Sequence, residues 1–465
     1  MIDNSPSGRL REPGAVLLVS CYELGHQPLA LAWPAAFLER AGFAPACLDL
    51  AVQTLDPDAV RRARFVAISV PMHTALRRGV RAAETIRRLN AGVVICFHGL
   101  YAMLNADYLL HHVADQVLGG ESEAALVALV QRLDQGEPAP APTRAPRLAK
   151  LDFPTPERRG VPPLTAYARL EMDGEARIAG SVEASRGCRH RCRHCPVPAV
   201  YDGRFFAVPQ DVVLADIRQQ LAKGARHITF ADPDFLNGPT HALRVARALH
   251  AEFPGVTFDF TAKVEHLLRQ TRHLPEFRAL GCAFIISAVE TLSDVVLANL
   301  DKGHTRADVL RLVPLMREAG IPLRPSLLPF TPWSTLEDYR DLLDWVEHDE
   351  LIGHVDAVQF SIRLLVPPGS LLLGTPALAP FLGALDEAAF SYRWTHPDPR
   401  MDRLHQDVSG VVADAAQRGL DPWRTFEAIR ELAGQAAGLA GVGGTYNRPL
   451  HAGARPPRMT EPWFC

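Results

Sequence analysis

The chain has 465 residues, 48% of them hydrophobic and 22% charged, with 49 Lys and Arg against 52 Asp and Glu for a net charge of −3. That length holds two or three domains of about 100–200 residues, and the composition is that of a folded globular protein. The charge balance leaves no electrostatic case for nucleic acid as a partner. Lysine stands only at positions 150, 223, 263 and 302, and with abundant Ala and Pro this reads as coding bias, so the many arginines are not taken as anion recognition. Met1–Ser5 shows no charged segment followed by an apolar one, so no leader is expected. The most apolar stretch, 364–385, is broken by Pro367, Pro368, Gly369, Pro376 and Pro380, and no membrane span is expected. The expectation is a cytoplasmic protein, in a compartment where clustered cysteines bind metal more often than they pair.

Residues 14–134 alternate short apolar runs with amphipathic stretches. Ala15–Ser20, Phe65–Val70, Val93–Phe97 and Gln116–Leu118 read as strands, and Leu29–Ala41, Leu76–Leu89 and Glu121–Leu133 as helices. This alternation predicts a parallel sheet covered on both faces. Ligands in such sheets bind outside the carboxyl ends of the strands, here Cys21–His26, Pro71–Thr74, His98–Leu100 and Gly119–Glu121. Residues 135–165 are dense in proline, including Pro138, Pro140, Pro142, Pro154, Pro156, Pro162 and Pro163, which predicts an extended, semi-rigid connector.

From about 178 the alternation resumes. Ala179–Ser185, His227–Ala231, Val256–Ala262, Ala283–Val289, Leu323–Leu328 and Val355–Ser361 read as strands. Val212–Leu221, Ala242–Ala251, Thr305–Ala319 and Thr335–Trp345 read as helices, with apolar residues at three and four spacing. Further helices are expected over Asp386–Tyr392, Asp407–Arg418 and Pro422–Leu439.

The first of these strands runs into Arg186-Gly187-Cys188-Arg189-His190-Arg191-Cys192-Arg193-His194-Cys195-Pro196. Three of the eight cysteines fall within this one loop. Three readings compete: unconnected thiols, a zinc site completed by His190 or His194, or an iron–sulfur cluster held by three thiolates. Zinc sites are usually built from two separated Cys/His pairs, and the sequence offers no second pair. Three ligands leave an open coordination position, as catalytic metal sites do.

The C-x-x-x-C-x-x-C spacing after a strand resembles the signature of the radical S-adenosylmethionine (radical SAM) enzymes, with His194 in place of the aromatic residue usual before the third cysteine. The resemblance implies a 4Fe–4S cluster on Cys188, Cys192 and Cys195, whose open iron chelates AdoMet and cleaves it to methionine and a 5′-deoxyadenosyl radical. It implies a partial (β/α)6 barrel with its site at the C-terminal ends of the strands. By the same resemblance Asp232 binds the AdoMet amino group, with Asp234 as fallback, where the family normally has a Gly-Gly-Glu-like segment. The run from Ser287 and Glu290 to Lys302-Gly303 resembles a family block that meets the AdoMet ribose or the substrate. A spacing of three points Ser287 and Glu290 to opposite faces of a regular strand. Arg363, before Pro367-Pro368-Gly369-Ser370, suits the AdoMet carboxylate. Each of these residues has a plainer reading as a cap, an ion pair or a surface charge.

The N-terminal alternation resembles the cobalamin-binding domain found ahead of many radical SAM domains. That implies a cobalamin site over His98, Gly99, Gly119, Gly120 and Glu121, although the Asp-x-His-x-x-Gly motif is absent. The end of the chain, Glu461-Pro462-Trp463-Phe464-Cys465, resembles a radical SAM group whose members finish in Cys-Cys-Ala-Glu-Pro or its selenocysteine form. It suggests a UGA codon after Cys465 and a redox tail.

The resulting expectation is an α/β chain. A Rossmann-like parallel sheet spans 1–134, a proline-rich linker 135–170, the radical SAM core 171–375 and a helical extension with its tail 376–465. The expected partners are a small-molecule or peptide substrate and an electron donor of the flavodoxin or ferredoxin type. A cobalamin- or redox-sensing iron–sulfur protein without turnover is the alternative, and a zinc-stabilised scaffold the third.

Overall fold

The computed structural model describes residues 9–439 and 455–461. Strands β1 (Val16–Ser20), β2 (Ala46–Asp49), β3 (Phe65–Ser69), β4 (Val94–His98) and β5 (Gln116–Leu118) form a parallel sheet in the order β2-β1-β3-β4-β5. Every residue of β1 and β3 is buried, as expected where helices cover both faces. Val16, Leu18, Phe65 and Ala67 share one core with Leu31, Ala35 and Leu38 of the helix Leu29–Arg40. Leu17, Val19, Val66 and Ile68 face the other way, onto Val80, Ala83 and Ile86 of the helix His73–Leu89. Strand β2 escaped the sequence reading because it is a four-residue edge strand with only two buried positions.

The second sheet begins with the hairpin β6 (Arg169–Met172) and β7 (Glu175–Val182), followed by the short pair β8 (Ser185–Gly187) and β9 (Phe205–Ala207). Strands β10 (His227–Phe230), β11 (Thr257–Thr261), β12 (Cys282–Glu290) and β13 (Leu323–Leu327) continue it. With β7 they run parallel in the order β13-β12-β11-β10-β7. Helices Gln210–Ala222, Pro239–Glu252, Arg306–Glu318 and Leu336–His348 cover its outer face through one large apolar core. The last two start at capping boxes, Thr305 with Asp308 and Thr335 with Asp338, which is why both starts were readable. A second hairpin, β14 (Leu382–Asp386) and β15 (Ser391–Trp394), precedes helices Pro399–Arg418 and Pro422–Ala436. The two-residue β16 (Arg458–Met459) pairs antiparallel with β6.

Two expected elements differ. Residues expected as a sixth strand, Val355–Ser361, contain a 3-10 turn over Ala357–Ser361. The Gln359 side chain takes the place of a neighbouring strand there, accepting from the Leu327 N–H at 2.8 Å. The sixth ladder is reduced to a bridge between Phe330 and Arg363. The helix expected over Asp386–Tyr392 is the turn of the β14–β15 hairpin. Tyr392 and Trp394 pack there against a small core with Leu364, Val366 and Leu378, contacts that no local periodicity announces.

The proline-rich connector is anchored rather than free. Arg147 bridges to Gly120, and Phe153 meets Trp33 edge-on with ring centroids 5.2 Å apart. Arg158 is fully buried and donates to both oxygens of Asp216 at 2.8 Å, to Gln27 Oε1 at 2.8 Å and to the Ser181 carbonyl at 2.7 Å. One guanidinium thus joins the loop after β1, the connector, β7 and the helix behind it. Arg158→Met leaves the buried Asp216 carboxylate without its cation, and breaking a buried pair in this way costs about 3–5 kcal/mol. Urea unfolding of the full chain checks it, and a midpoint unchanged from wild type would mean that the pair does not couple these segments.

Candidate active site

The three cysteines sit on a loop whose two ends are clasped together. Strands β8 and β9 pair Gly187 with Phe205, so residues 188–204 project from a closed base. Gly187 has φ +73, and a Cβ on it would fall inside contact distance of the Arg204 carbonyl oxygen and of the Tyr201 ring. Only glycine suits that position. Cys188 and Cys192 are buried and Cys195 half-buried, and Cys195 N–H donates to Cys192 O at 3.2 Å. Asn237 Oδ1 supports the loop, lying 3.7 Å from Cys188 Sγ and accepting from the Arg189 N–H at 3.1 Å.

All seven described cysteines are free. Burial pushes the Cys195 thiol up to about 12, and the neighbouring sulfurs of Cys192 and Cys188 add to this against the Val197 N–H and Lys302. Burial likewise raises Cys188. Sulfurs that oppose one another's ionisation fit a site completed by a metal, because a bound cation deprotonates its thiols outright. The Nε2 atom of each loop histidine meets another side chain, while His194 Nδ1 is buried without a partner. His190 Nε2 lies 3.0 Å from His266 Nε2, and His266 Nδ1 lies 2.8 Å from Asp234. His194 Nε2 lies 3.3 Å from Glu290. Three free thiols on one clasped loop fit a cluster with three protein ligands.

Of the residues expected to meet AdoMet, Asp232 is buried and spent on the loop's entry. Its Oδ2 accepts the Ala184 N–H at 2.9 Å and its Oδ1 the Ser185 hydroxyl, and burial pushes its carboxyl up to about 7. Asp234 accepts from the Leu236 and Lys263 N–H groups and pairs with His266. Arg363 joins Asp402 at 2.8 Å and the Trp394 carbonyl at 3.0 Å, with its guanidinium 3.6 Å over the Trp394 ring. It is a strut to the C-terminal helices. Ser287 is fully buried with its Oγ unpartnered. It and Glu290 are brought to the same face by a bulge. Ser287 pairs with Pro325 and Glu290 with Leu327, so three steps on β12 match two on β13. A bulge re-aims side chains in this way.

Three polar residues at the strand ends escaped the sequence reading as site residues. His304 is buried with Nδ1 unpartnered, Lys263 is buried beside Glu265 at 3.7 Å, and Lys302 is buried against Glu290 at 2.8 Å. A signal existed, since two of only four lysines lie here. Arg186, two residues before Cys188, is buried too. It lies 2.8 Å from Glu123, 3.0 Å from Glu183 and 3.5 Å from Glu121, under Trp33 and Phe153.

The residues expected to hold cobalamin divide. At the end of β4, His98 is buried with Nε2 unpartnered, and burial lowers its pKa to about 4. Gly99 has φ +106 beside the Val70 carbonyl. Of these two, only His98 leaves a buried ring nitrogen without a partner at the strand end. The end of β5 is occupied: a Cβ on Gly119 would come 2.8 Å from Met103, Gly120 lies against Arg147, and Glu121 accepts from the Tyr201 hydroxyl at 2.9 Å. Gly119, Gly120 and Glu121 do not form a cradle.

The Radical SAM superfamily model matches residues 182–346, a span that begins at the end of β7 and contains the cysteine loop and strands β8–β13. Residues 182–346 are thus similar to the Radical SAM superfamily. It is 26% identical over 186 residues to the ribosomal protein uS12 methylthiotransferase RimO of Geobacter sulfurreducens, covering 36% of this chain and 39% of that protein. It is 26% identical over 290 residues to the tRNA-2-methylthio-N(6)-dimethylallyladenosine synthase of the same organism, covering 58% of this chain and 60% of the relative. The chain thus spans less than two thirds of the length of these curated relatives, 39% of one and 60% of the other.

Among solved structures it shares its fold with the radical SAM methyltransferase TsrM of Kitasatospora setae, with a TM-score of 0.58 at 20% identity over 72% of this chain and 71% of that one. It shares it also with the cobalamin-dependent radical SAM enzyme OxsB, with a TM-score of 0.63 at 16% identity over 86% and 66%. The α/β architecture, a parallel N-terminal sheet followed by a curled half-barrel, is the one expected from sequence. Within the Radical SAM domain the β8–β9 clasp shapes the cysteine loop. Gly187→Ala puts a side chain into a left-handed conformation costing about 1–2 kcal/mol, besides the clash with Arg204. Reconstituted Gly187→Ala is expected to hold markedly less iron per chain than wild type. Wild-type iron content would show that the clasp does not set the ligand geometry.

Proposed function

We propose that this protein is a radical SAM enzyme whose Cys188, Cys192 and Cys195 ligate a 4Fe–4S cluster. The observation that carries the reading is the clasped loop presenting three free, largely buried thiols within the matched span. When bound, the reduced cluster supplies the electron that cleaves AdoMet to methionine and a 5′-deoxyadenosyl radical. This chain's own residues bind and orient. Asn237 holds the loop at Cys188, and Asp232 holds its entry through Ala184 and Ser185. Ser287 Oγ and His304 Nδ1 are, with His194 Nδ1, among the buried polar atoms without a partner, and Ser287 and His304 are the groups assigned to AdoMet or the substrate. The surrounding apolar core excludes water from this site. A flavodoxin- or ferredoxin-type protein is the proposed electron donor.

A second reading adds cobalamin, making methyl transfer the reaction class. It is favoured by the unpartnered His98 Nε2 and by the architecture shared with TsrM and OxsB. Gel filtration after incubation with hydroxocobalamin tests it. Stoichiometric retention that weakens in His98→Ala supports this reading, and no retention removes it. A redox role for Cys465 is proposed as well, although Pro462–Cys465 lie outside the described residues. It is supported by the preceding segment, which pairs with β6 and hydrogen-bonds Glu461 to Tyr22 beyond the end of β1 at 2.8 Å.

The main reading is tested by anaerobic reconstitution with iron and sulfide, then dithionite and AdoMet, assaying 5′-deoxyadenosine. Formation in wild type and its loss in Cys192→Ala is the expected result. An assembled, reducible cluster that never cleaves AdoMet would move the protein to the sensing alternative.

A further inference from the structure

His194 occupies the position before the third cysteine, where the family usually carries an aromatic residue. The reason lies at the end of β12. Glu290 adopts φ +65, a conformation that side-chain-bearing residues rarely take. Its Oε1 accepts from Lys302 Nζ at 2.8 Å and lies 3.3 Å from His194 Nε2. Lys302 follows Asp301, whose left-handed φ of 56 turns the chain out of the helix Asp294–Leu300. The backbone of the cysteine loop is tied to that same turn, with Arg193 N–H donating to Leu300 O at 2.9 Å. One carboxylate therefore joins the strand end, the turn after the next helix, and the loop between Cys192 and Cys195. An aromatic hydrocarbon ring at 194 has no N–H to make this contact.

The three side chains are only 16%, 10% and 3% exposed for His194, Glu290 and Lys302. Burial works against the charge on Glu290, but Lys302 and then His194 outweigh it and hold its carboxyl well below the usual carboxylate range. Burial also works against the Lys302 charge, and Glu290 overcomes it, with the sulfurs of Cys192 and Cys195 adding to the effect. The pair is joined at 2.8 Å, and Glu290 lies 3.3 Å from His194, the residue before Cys195.

We propose that the Lys302–Glu290 pair, clamped to the cysteine loop through His194, sets the reduction potential of the cluster held there. The inference rests on the cluster reading above. Reduction adds one electron, taken from a low-potential reductant such as dithionite, and makes or breaks no bond. The added negative charge is stabilised by Lys302, and Glu290 limits that gain. Fixed charges weigh heavily where water is excluded, and net charge around a cluster is one of the levers on its potential. Lys302, Glu290 and His194 are positioning residues in this scheme, since they act through the cluster.

The experiment is a redox titration of the reconstituted full chain without AdoMet, following the reduced cluster by electron paramagnetic resonance. Wild type is compared with Lys302→Met, Glu290→Gln and the double variant. Lys302→Met is expected to shift the potential downward, Glu290→Gln upward, and the double variant to fall between them. The double variant leaves no buried charge unpaired, so with Glu290→Gln it carries the comparison should Lys302→Met fail to assemble a cluster. Unchanged potentials, or shifts in one direction for both charge removals, overturn the inference while leaving the cluster reading intact. A wild-type chain that assembles no reducible cluster overturns both.

Discussion

A guanidinium taken out of water and shared by three carboxylates joins the two sheets at the base of the cysteine loop. Arg186 stands two residues before Cys188, and its partners Glu121 and Glu123 come from the segment after β5 of the first sheet. Such a group is costly to bury and tolerable only when fully paired, so the position of Arg186 is fixed by both sheets at once. Three carboxylates around one cation are too many. Burial pushes Glu121 up to about 7 against the pull of Arg186, and Glu121 also accepts from the Tyr201 hydroxyl. Tyr201 ends the helix that follows Cys195. The loop is thereby held on both sides of its cysteines by groups that answer to the first sheet, and the N-terminal domain becomes part of the site's scaffold.

The same economy decides which polar groups remain for chemistry. Strand ends in a parallel sheet expose backbone N–H groups, and nearby carboxylates are drawn to them. Asp232 serves the entry of the cysteine loop and Asp234 the turn that follows β10. Ser287 and His304, by contrast, each keep a buried polar atom without a partner. A bound cofactor therefore meets a mouth already organised by internal hydrogen bonds, with few polar groups left to rearrange. Preorganisation of that kind is how a protein directs the chemistry a cofactor supplies.

Much of this was legible because it is local. The cysteine spacing, the glycine before it, the buried runs of β1 and β3 and the two threonine caps are each written in a few consecutive residues. The features that escaped reading are set by partners far along the chain. The bulge that brings Ser287 and Glu290 to one face exists only against β13. Gln359 substitutes for a strand only because Leu327 needs an acceptor. Residues 386–392 have the spacing of a helix, yet the neighbouring Trp394 side chain belongs to a core built by Leu364 and Val366. Charge identity lay between these cases. Arginine is so common that Arg158 and Arg186 carried no signal, whereas lysine is so rare that Lys263 and Lys302 did. A compact ammonium on a flexible stem fits where a planar guanidinium does not.

Buried charge pairs also tie together segments that are distant in sequence. Arg158 with Asp216, Arg186 with Glu121 and Glu123, and Lys302 with Glu290 each join elements whose relative placement apolar packing leaves adjustable. Forming such a pair gains little net stability, but separating its members strands a charge in the interior. Apolar cores tolerate sliding and exchange of similar side chains, and a two-oxygen grip on one guanidinium does not. The three pairs therefore act as fixed points, one between the sheets behind the connector, one beneath the cysteine loop and one at its far edge. The loop lies between the last two, so the position of its three sulfurs is set by charge pairing more than by the hydrophobic core that surrounds it.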